Sequence, residues 1–70
     1  MERVAVESRE IAIVGYDSQA RILEVAFRRG GVYQYTQVPE KIHQDLLAAK
    51  SLGIFFEQNI KEQFPYQKIK

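Results

Sequence analysis

Arg21-Ile22-Leu23-Glu24-Val25-Ala26-Phe27-Arg28-Arg29-Gly30-Gly31-Val32-Tyr33-Gln34-Tyr35-Thr36-Gln37 reads as two β-strands joined by a glycine hairpin. From Arg21 to Arg28 the residues alternate. Leu23, Val25 and Phe27 fall on one face, and Ile22, Glu24, Ala26 and Arg28 on the other, the pattern of a half-buried strand. Gly30-Gly31 marks the reversal, because glycine supplies the positive φ that tight hairpin loops demand. Val32 to Gln37 forms the return strand, and the loop length sets which way its two tyrosines face. A three-residue loop, Arg29 to Gly31, places Tyr33 opposite Phe27 and Tyr35 opposite Val25, on the core face. A two-residue loop, Gly30 and Gly31, places Tyr33 opposite Arg28 and Tyr35 opposite Ala26, as an outward aromatic platform beside a cation.

Working outward, Ile11-Ala12-Ile13-Val14-Gly15-Tyr16 is an apolar, β-branched run and an earlier strand. Simple alternation puts Ile11 and Ile13 on one face and Ala12, Val14 and Tyr16 on the other. Asp17-Ser18-Gln19-Ala20 is its turn, since Asp and Ser side chains bond their own backbone at reversals. At Val38-Pro39 the period changes. Proline suits the first turn of a helix and Glu40 suits its positive end, and Ile42, Leu46 and Ala49 then recur at helical spacing. Ser51 is an N-cap for a second helix, whose stripe is Phe56, Ile60 and Phe64. Pro65 ends it, because the residue before proline avoids the α region. Residues 66 to 70 are a short tail. The expected fold is α+β, a three-stranded antiparallel β-meander followed by two α-helices packed on one face (β-β-β-α-α), in one domain spanning residues 1–70.

Composition bounds the function. Seventy residues bury a small core, and ten Lys plus Arg against nine Asp plus Glu leave a net charge of +1. A free-standing nucleic-acid binder usually carries a larger basic excess. With no cysteine and one histidine, there is no disulfide, thiolate ligand or structural zinc site to assign. No segment has the ~20 apolar residues that span a bilayer. Met1 to Glu7 lacks the basic start and apolar stretch of a signal peptide, so the expected location is the cytoplasm. Enzymatic readings lack parts: His43 has no Gly-x-Ser-x-Gly partner and falls on a different helix face from Asp45, and no phosphate-loop fingerprint occurs. His43 reads as a solvent-exposed helix residue. The pairs Glu7/Glu10 and Glu57/Glu62 read as solvated faces. No catalytic residue, cofactor or metal is assigned.

The ordered series Val6-Glu7-Ser8, Ile11, Val14-Gly15-Tyr16-Asp17, Leu23-Glu24-Val25-Ala26-Phe27, Gly31-Val32-Tyr33-Gln34-Tyr35 and Val38-Pro39 continues through Leu46-Leu47, Ser51, Gly53, Phe55-Phe56, Ile60 and Pro65-Tyr66. It resembles the KTSC domain, a short module found at the C-terminus of some lysyl-tRNA synthetases and as a stand-alone bacterial protein. The central Tyr-x-Tyr is that family's hallmark. The resemblance implies a domain without an established activity, whose association with a synthetase points to RNA, including tRNA. Basic residues are common in the family's last helix and tail, where this chain has Glu57, Glu62, Gln63 and Gln67 among Lys61, Lys68 and Lys70.

The side chains left for such a role are aromatic and basic: Arg28 and Arg29 at the hairpin tip, Tyr33 and Tyr35, and Lys61, Tyr66 and Lys68 near the C-terminal end. Tyr and Arg stack on bases and Lys meets phosphates, with weak, salt-sensitive affinity because the cations are few. Residues 1 to 31 hold five cations and five acids and residues 32 to 70 hold five and four, so an RNA site depends on local placement. The alternative is a protein-interaction or self-association module with purely structural tyrosines, drawn from an exposed Ile22 and the doubly apolar strand at Ile11–Tyr16.

Overall fold

The computed structural model describes residues 2–70. Its elements are β1 (Glu2–Ala5), β2 (Ile11–Asp17), β3 (Ile22–Phe27), β4 (Val32–Tyr35), α1 (Glu40–Ala48), α2 (Leu52–Asn59) and β5 (Tyr66–Lys68). The strands make one antiparallel sheet in the order β1-β2-β3-β4-β5. The sheet thus has five strands, not the three expected from periodicity. The additions are both edges: β1 and β5 are too short and too polar to announce themselves, and they form by pairing with strands already in place. The C-terminal segment expected to be a tail is therefore the outer strand beside the tyrosines. Among the described residues no helix is long and apolar enough to cross a membrane.

The turns form for local reasons. Asp17 Oδ1 accepts hydrogen bonds from the Gln19 and Ala20 amides at 3.0 and 3.2 Å, closing the β2–β3 reversal as the sequence indicates. The β3–β4 loop closes with the Phe27 amide donating to the Gly31 carbonyl and the Gly30 amide to that of Phe27, both at 3.0 Å. Gly30 and Gly31 have φ of +107° and +94°, which side-chain-bearing residues rarely adopt. The loop residues are Arg28, Arg29 and Gly30, one position earlier than expected. The register becomes Val25 opposite Tyr33 and Leu23 opposite Tyr35. A three-residue loop keeps the core-facing parity, so both tyrosines lie on the covered face. The outward platform beside Arg28 does not form.

In β2 a bulge falls between Ile11 and Ile13. The extra residue reverses the alternation, so Ile11 is fully buried while Ile13 turns outward, and the two do not share a face. The core is Ile11, Val14, Leu23, Val25, Tyr35 and Val38 from the sheet side and Leu46, Leu52, Phe56 and Ile60 from the helices and their end. Ser51 caps α2, its hydroxyl accepting from the Ile54 amide at 3.4 Å. That helix stops at Asn59, short of Phe64: the amides of Ile60 and Lys61 both bond the Phe56 carbonyl, which wraps the last turn and turns the chain toward Pro65. His43 is half-buried and stacks on Tyr16 with ring centroids 4.6 Å apart, so it is not the fully exposed helix residue expected. Burial lowers its pKa, with Glu40 opposing. The Tyr16 hydroxyl donates to the Val38 carbonyl, pinning the start of the helical half to β2.

Among the described residues, both helices pack on this core face and none covers the opposite face of the sheet. There, Arg3, Gly15, Glu24, Gln34 and Gln67 lie in one cross-strand row. Arg3 and Gln34 both donate to the Glu24 carboxylate. Glu24 is only 7% exposed, and the Arg3 bond holds its carboxyl below the usual range against the opposing effect of burial. A parallel row carries Ala5, Ile13, Ala26 and Val32, with Ile69 bonded to Val32 at its end.

Candidate aromatic cleft

Antiparallel pairing sets Tyr35 opposite Tyr66, and alternation along β4 puts Tyr33 on the same face as Tyr35. Phe27 reaches that face from the end of β3, and Phe56 reaches it from α2. The five rings form a closed circuit. Phe27 meets Tyr33 at 5.5 Å, Tyr33 meets Tyr66 at 6.0 Å, Tyr66 meets Tyr35 at 5.4 Å, Tyr35 meets Phe56 at 5.4 Å and Phe56 meets Phe27 at 5.6 Å. Three of these contacts are edge-on and two are tilted, arrangements that aromatic quadrupoles favour over a face-to-face sandwich.

The circuit runs from inside to outside. Tyr35 is 3% exposed, Tyr33 is half-buried and Tyr66 is 59% exposed. All five rings line one cleft of about 630 Å³, which opens between the hairpin tip, the β1–β2 loop and the end of α2. Arg9 and Glu10 line it from that loop, Arg29 and Gly30 from the hairpin, and Glu57 and Lys61 from α2 and the residues after it. Among the described residues, none of these five charged side chains forms an ion pair, since the one salt bridge joins Arg3 to Glu24.

The Tyr35 hydroxyl makes no side-chain hydrogen bond among the described residues. No sealed polar side-chain atom there lacks a partner. The hydroxyl therefore keeps contact with solvent, and the cleft that Tyr35 lines is its outlet. Burial, with smaller contributions from Tyr66 and Tyr33, pushes its pKa up to about 12. At neutral pH it stands in the cleft as an intact O–H group, able to donate one hydrogen bond and to accept others.

Of the seven side chains nominated from the sequence, Arg29, Tyr33, Tyr35, Lys61 and Tyr66 line this cleft. Lys68 lies beside it: it pairs with Tyr33, and its Cε is 3.7 Å from where a Gly31 Cβ would stand. Arg28 is elsewhere. Its guanidinium donates to the carbonyls of Ser8 and Val6, the latter at 3.0 Å, and so braces the β1–β2 loop. Sequence reasoning missed Arg9, Glu10 and Glu57 as neighbours of the aromatics. Arg9 carries no local signal, because only the folded β1–β2 loop brings it to the hairpin. The two glutamates read as solvated faces until the cleft gathers them. Phe27 and Phe56 were legible as core, but not as parts of a lined opening.

The KTSC domain profile matches residues 7–64. An uncharacterized protein of Stutzerimonas stutzeri is 46% identical over 63 residues, covering 90% of this chain and 89% of that protein. A lysine–tRNA ligase of Nostoc punctiforme is 32% identical over 63 residues, which are 90% of this chain and 11% of the ligase. Among solved structures, a KTSC domain protein from Yersinia pestis superposes with a TM-score of 0.95 at 45% identity, covering 99% of this chain and 97% of that one.

Proposed function

This chain belongs to the KTSC domain family, and from that premise we propose that it is a non-enzymatic RNA-binding accessory module of the cytoplasm, with tRNA among its ligands. The observation that carries the reading is the cleft: three tyrosines and two phenylalanines in ring contact, edged by Arg9, Arg29 and Lys61. Flat aromatic surface takes stacked bases, and unpaired cations take phosphates. The match to part of a lysine–tRNA ligase adds a reason to look to tRNA. Lys68, on the same face beside Tyr33, extends the basic edge. Arg28 acts as a brace for the loop that carries Arg9, not as a contact.

The net charge of +1 limits this to a local site. RNA approaches the cleft edge and is not tracked along a basic groove, so the affinity is modest and falls with salt. The experiment is an NMR titration of the chain with tRNA and with short single-stranded RNA at low salt. Shifts at Arg29, Tyr33, Tyr35, Lys61 and Tyr66 support the reading, and their absence ends it.

A second reading rests on the uncovered sheet face. Ala5, Ile13, Ala26, Val32 and Ile69 line up across the strands as an apolar row, with Ile13 and Ile69 exposed. Such a row suits a protein-interaction or self-association module. Light scattering behind size-exclusion chromatography tests the homo-oligomer version, which a monomer at high concentration removes.

A further inference from the structure

We infer that the cleft accepts a single unpaired nucleotide and favours bases with an exocyclic amino group, guanine first and uracil last; this rests on the RNA-binding reading and names its ligand class.

Size comes first. At about 630 Å³ the cleft falls in the range of small-ligand sites, large enough for one nucleotide and too local for a duplex. Shape comes second. Neighbouring rings of the circuit sit 5.4 to 6.0 Å apart, in contact with one another. What they present is ring surface, which suits a planar ligand that stacks.

Charge comes third and sets the preference. Three cations and two carboxylates line the cleft, unpaired with one another among the described residues. A site for phosphate alone has no use for Glu10 and Glu57, which repel it. Carboxylates are acceptor-only groups, so they select a base edge rich in N–H donors. Guanine offers adjacent ring N–H and amino donors, and cytosine and adenine offer an amino group. Uracil offers one N–H between two carbonyl oxygens, which carboxylates oppose. The cations then take the phosphate, and the Tyr35 hydroxyl, free to donate or accept, serves any of the four edges.

The test is an NMR titration of the isotope-labelled full chain with the 5′-monophosphates of guanosine, adenosine, cytidine and uridine, alongside a short single-stranded RNA and tetramethylammonium. Guanosine monophosphate is expected to shift Tyr33, Tyr35 and Tyr66 and to bind about tenfold more tightly than the uridine compound, the worth of one charge-assisted hydrogen bond. Glu57→Gln and Glu10→Gln, each checked for a dispersed spectrum, should narrow that gap, because an amide both donates and accepts. Equal binding of all four nucleotides at the cleft overturns the base preference and leaves the RNA reading standing. RNA shifts confined to other residues overturn the cleft assignment. No response to any RNA overturns both, and cleft shifts with tetramethylammonium but no nucleotide would replace this ligand class with an organic cation.

Discussion

Tyr35 and Tyr66 face each other across β4 and β5 with ring centroids 5.4 Å apart, yet one is 3% exposed and the other is 59% exposed. The pair links the interior of the domain to the cleft. Substitutions at the two positions therefore have different consequences. Tyr66→Ala removes a cross-strand aromatic contact at an edge and should cost about 1 kcal/mol in a denaturant melt. Tyr35→Ala empties a core position and should cost roughly 3–5 kcal/mol, enough to unfold much of so small a domain. Tyr35→Phe keeps the ring and should leave the melt nearly unchanged while removing the hydroxyl from the cleft. Equal losses for Tyr66→Ala and Tyr35→Ala would contradict this burial gradient.

The raised pKa of Tyr35 gives stability an alkaline limit. Its folded value is about 12 against an ordinary value of 10.0. The folded state therefore holds that proton more tightly than the unfolded chain does. The associated stability is fully present below pH 10 and is lost as pH rises from there through about 12. Phenolate absorbance should show one tyrosine ionising last, coincident with unfolding, and Tyr35→Phe should abolish the late step.

Much of this could be read from the chain, and the gaps have physical causes. The alternation of Leu23, Val25 and Phe27 identifies the central strand because burial acts on one face only. Ser51 and Asp17 were legible because their side chains bond backbone within three residues. Tyr66-Gln67-Lys68 was not, since its three residues are exposed and its strand exists only through β4. The bulge at Ala12 has no compositional mark, so alternation put Ile13 on the wrong face. The tyrosines' direction turned on loop parity, which Gly30-Gly31 alone leaves open. The cleft was half legible: its rings and two of its cations are conspicuous types, whereas Arg9, Glu10 and Glu57 become neighbours only through long-range folding.

On the other face, Arg3 and Gln34 together satisfy a nearly buried Glu24. The lowered pKa of Glu24 means the folded state prefers the carboxylate, so this stability is present above the ordinary value of 4.5 and lost as pH falls through the folded value. Arg3→Ala removes the chief cause of the depression and leaves burial, which acts in the opposite direction. Acid unfolding followed by circular dichroism should then begin at higher pH. An unchanged acid midpoint would show that Gln34 alone sustains the carboxylate.

The neighbouring arginines at the hairpin tip separate stability from binding. Arg28 donates to two loop carbonyls, so Arg28→Ala should cost about 1 kcal/mol and loosen the segment holding Arg9. Arg29 makes no such bond among the described residues and lines the cleft. Arg29→Ala should stay within about 0.5 kcal/mol of the parent in stability while weakening RNA binding. Paired thermal melts and RNA titrations on the two variants read both effects. The reverse pattern, with Arg28 mattering for RNA at unchanged stability, would put the contact on the other side of the hairpin.

Salt dependence counts the phosphates of a bound strand that the cations at the cleft engage, those flanking the stacked nucleotide included. Arg9, Arg29 and Lys61 are the three cations lining the cleft. Each neutralised phosphate of a single strand contributes about −0.7 to the slope of log affinity against log salt concentration, so three predict a slope of about −2. Binding measured by fluorescence anisotropy across a salt series should give that value, and Lys61→Ala should reduce its magnitude by about 0.7. Tyr66→Ala should weaken binding at every salt concentration without changing the slope, because stacking releases no counterions. A slope far steeper than about −3, more than these three cations and the neighbouring Lys68 supply, would mean that cations away from the cleft carry the contact. The aromatic circuit would then be structural rather than a binding surface.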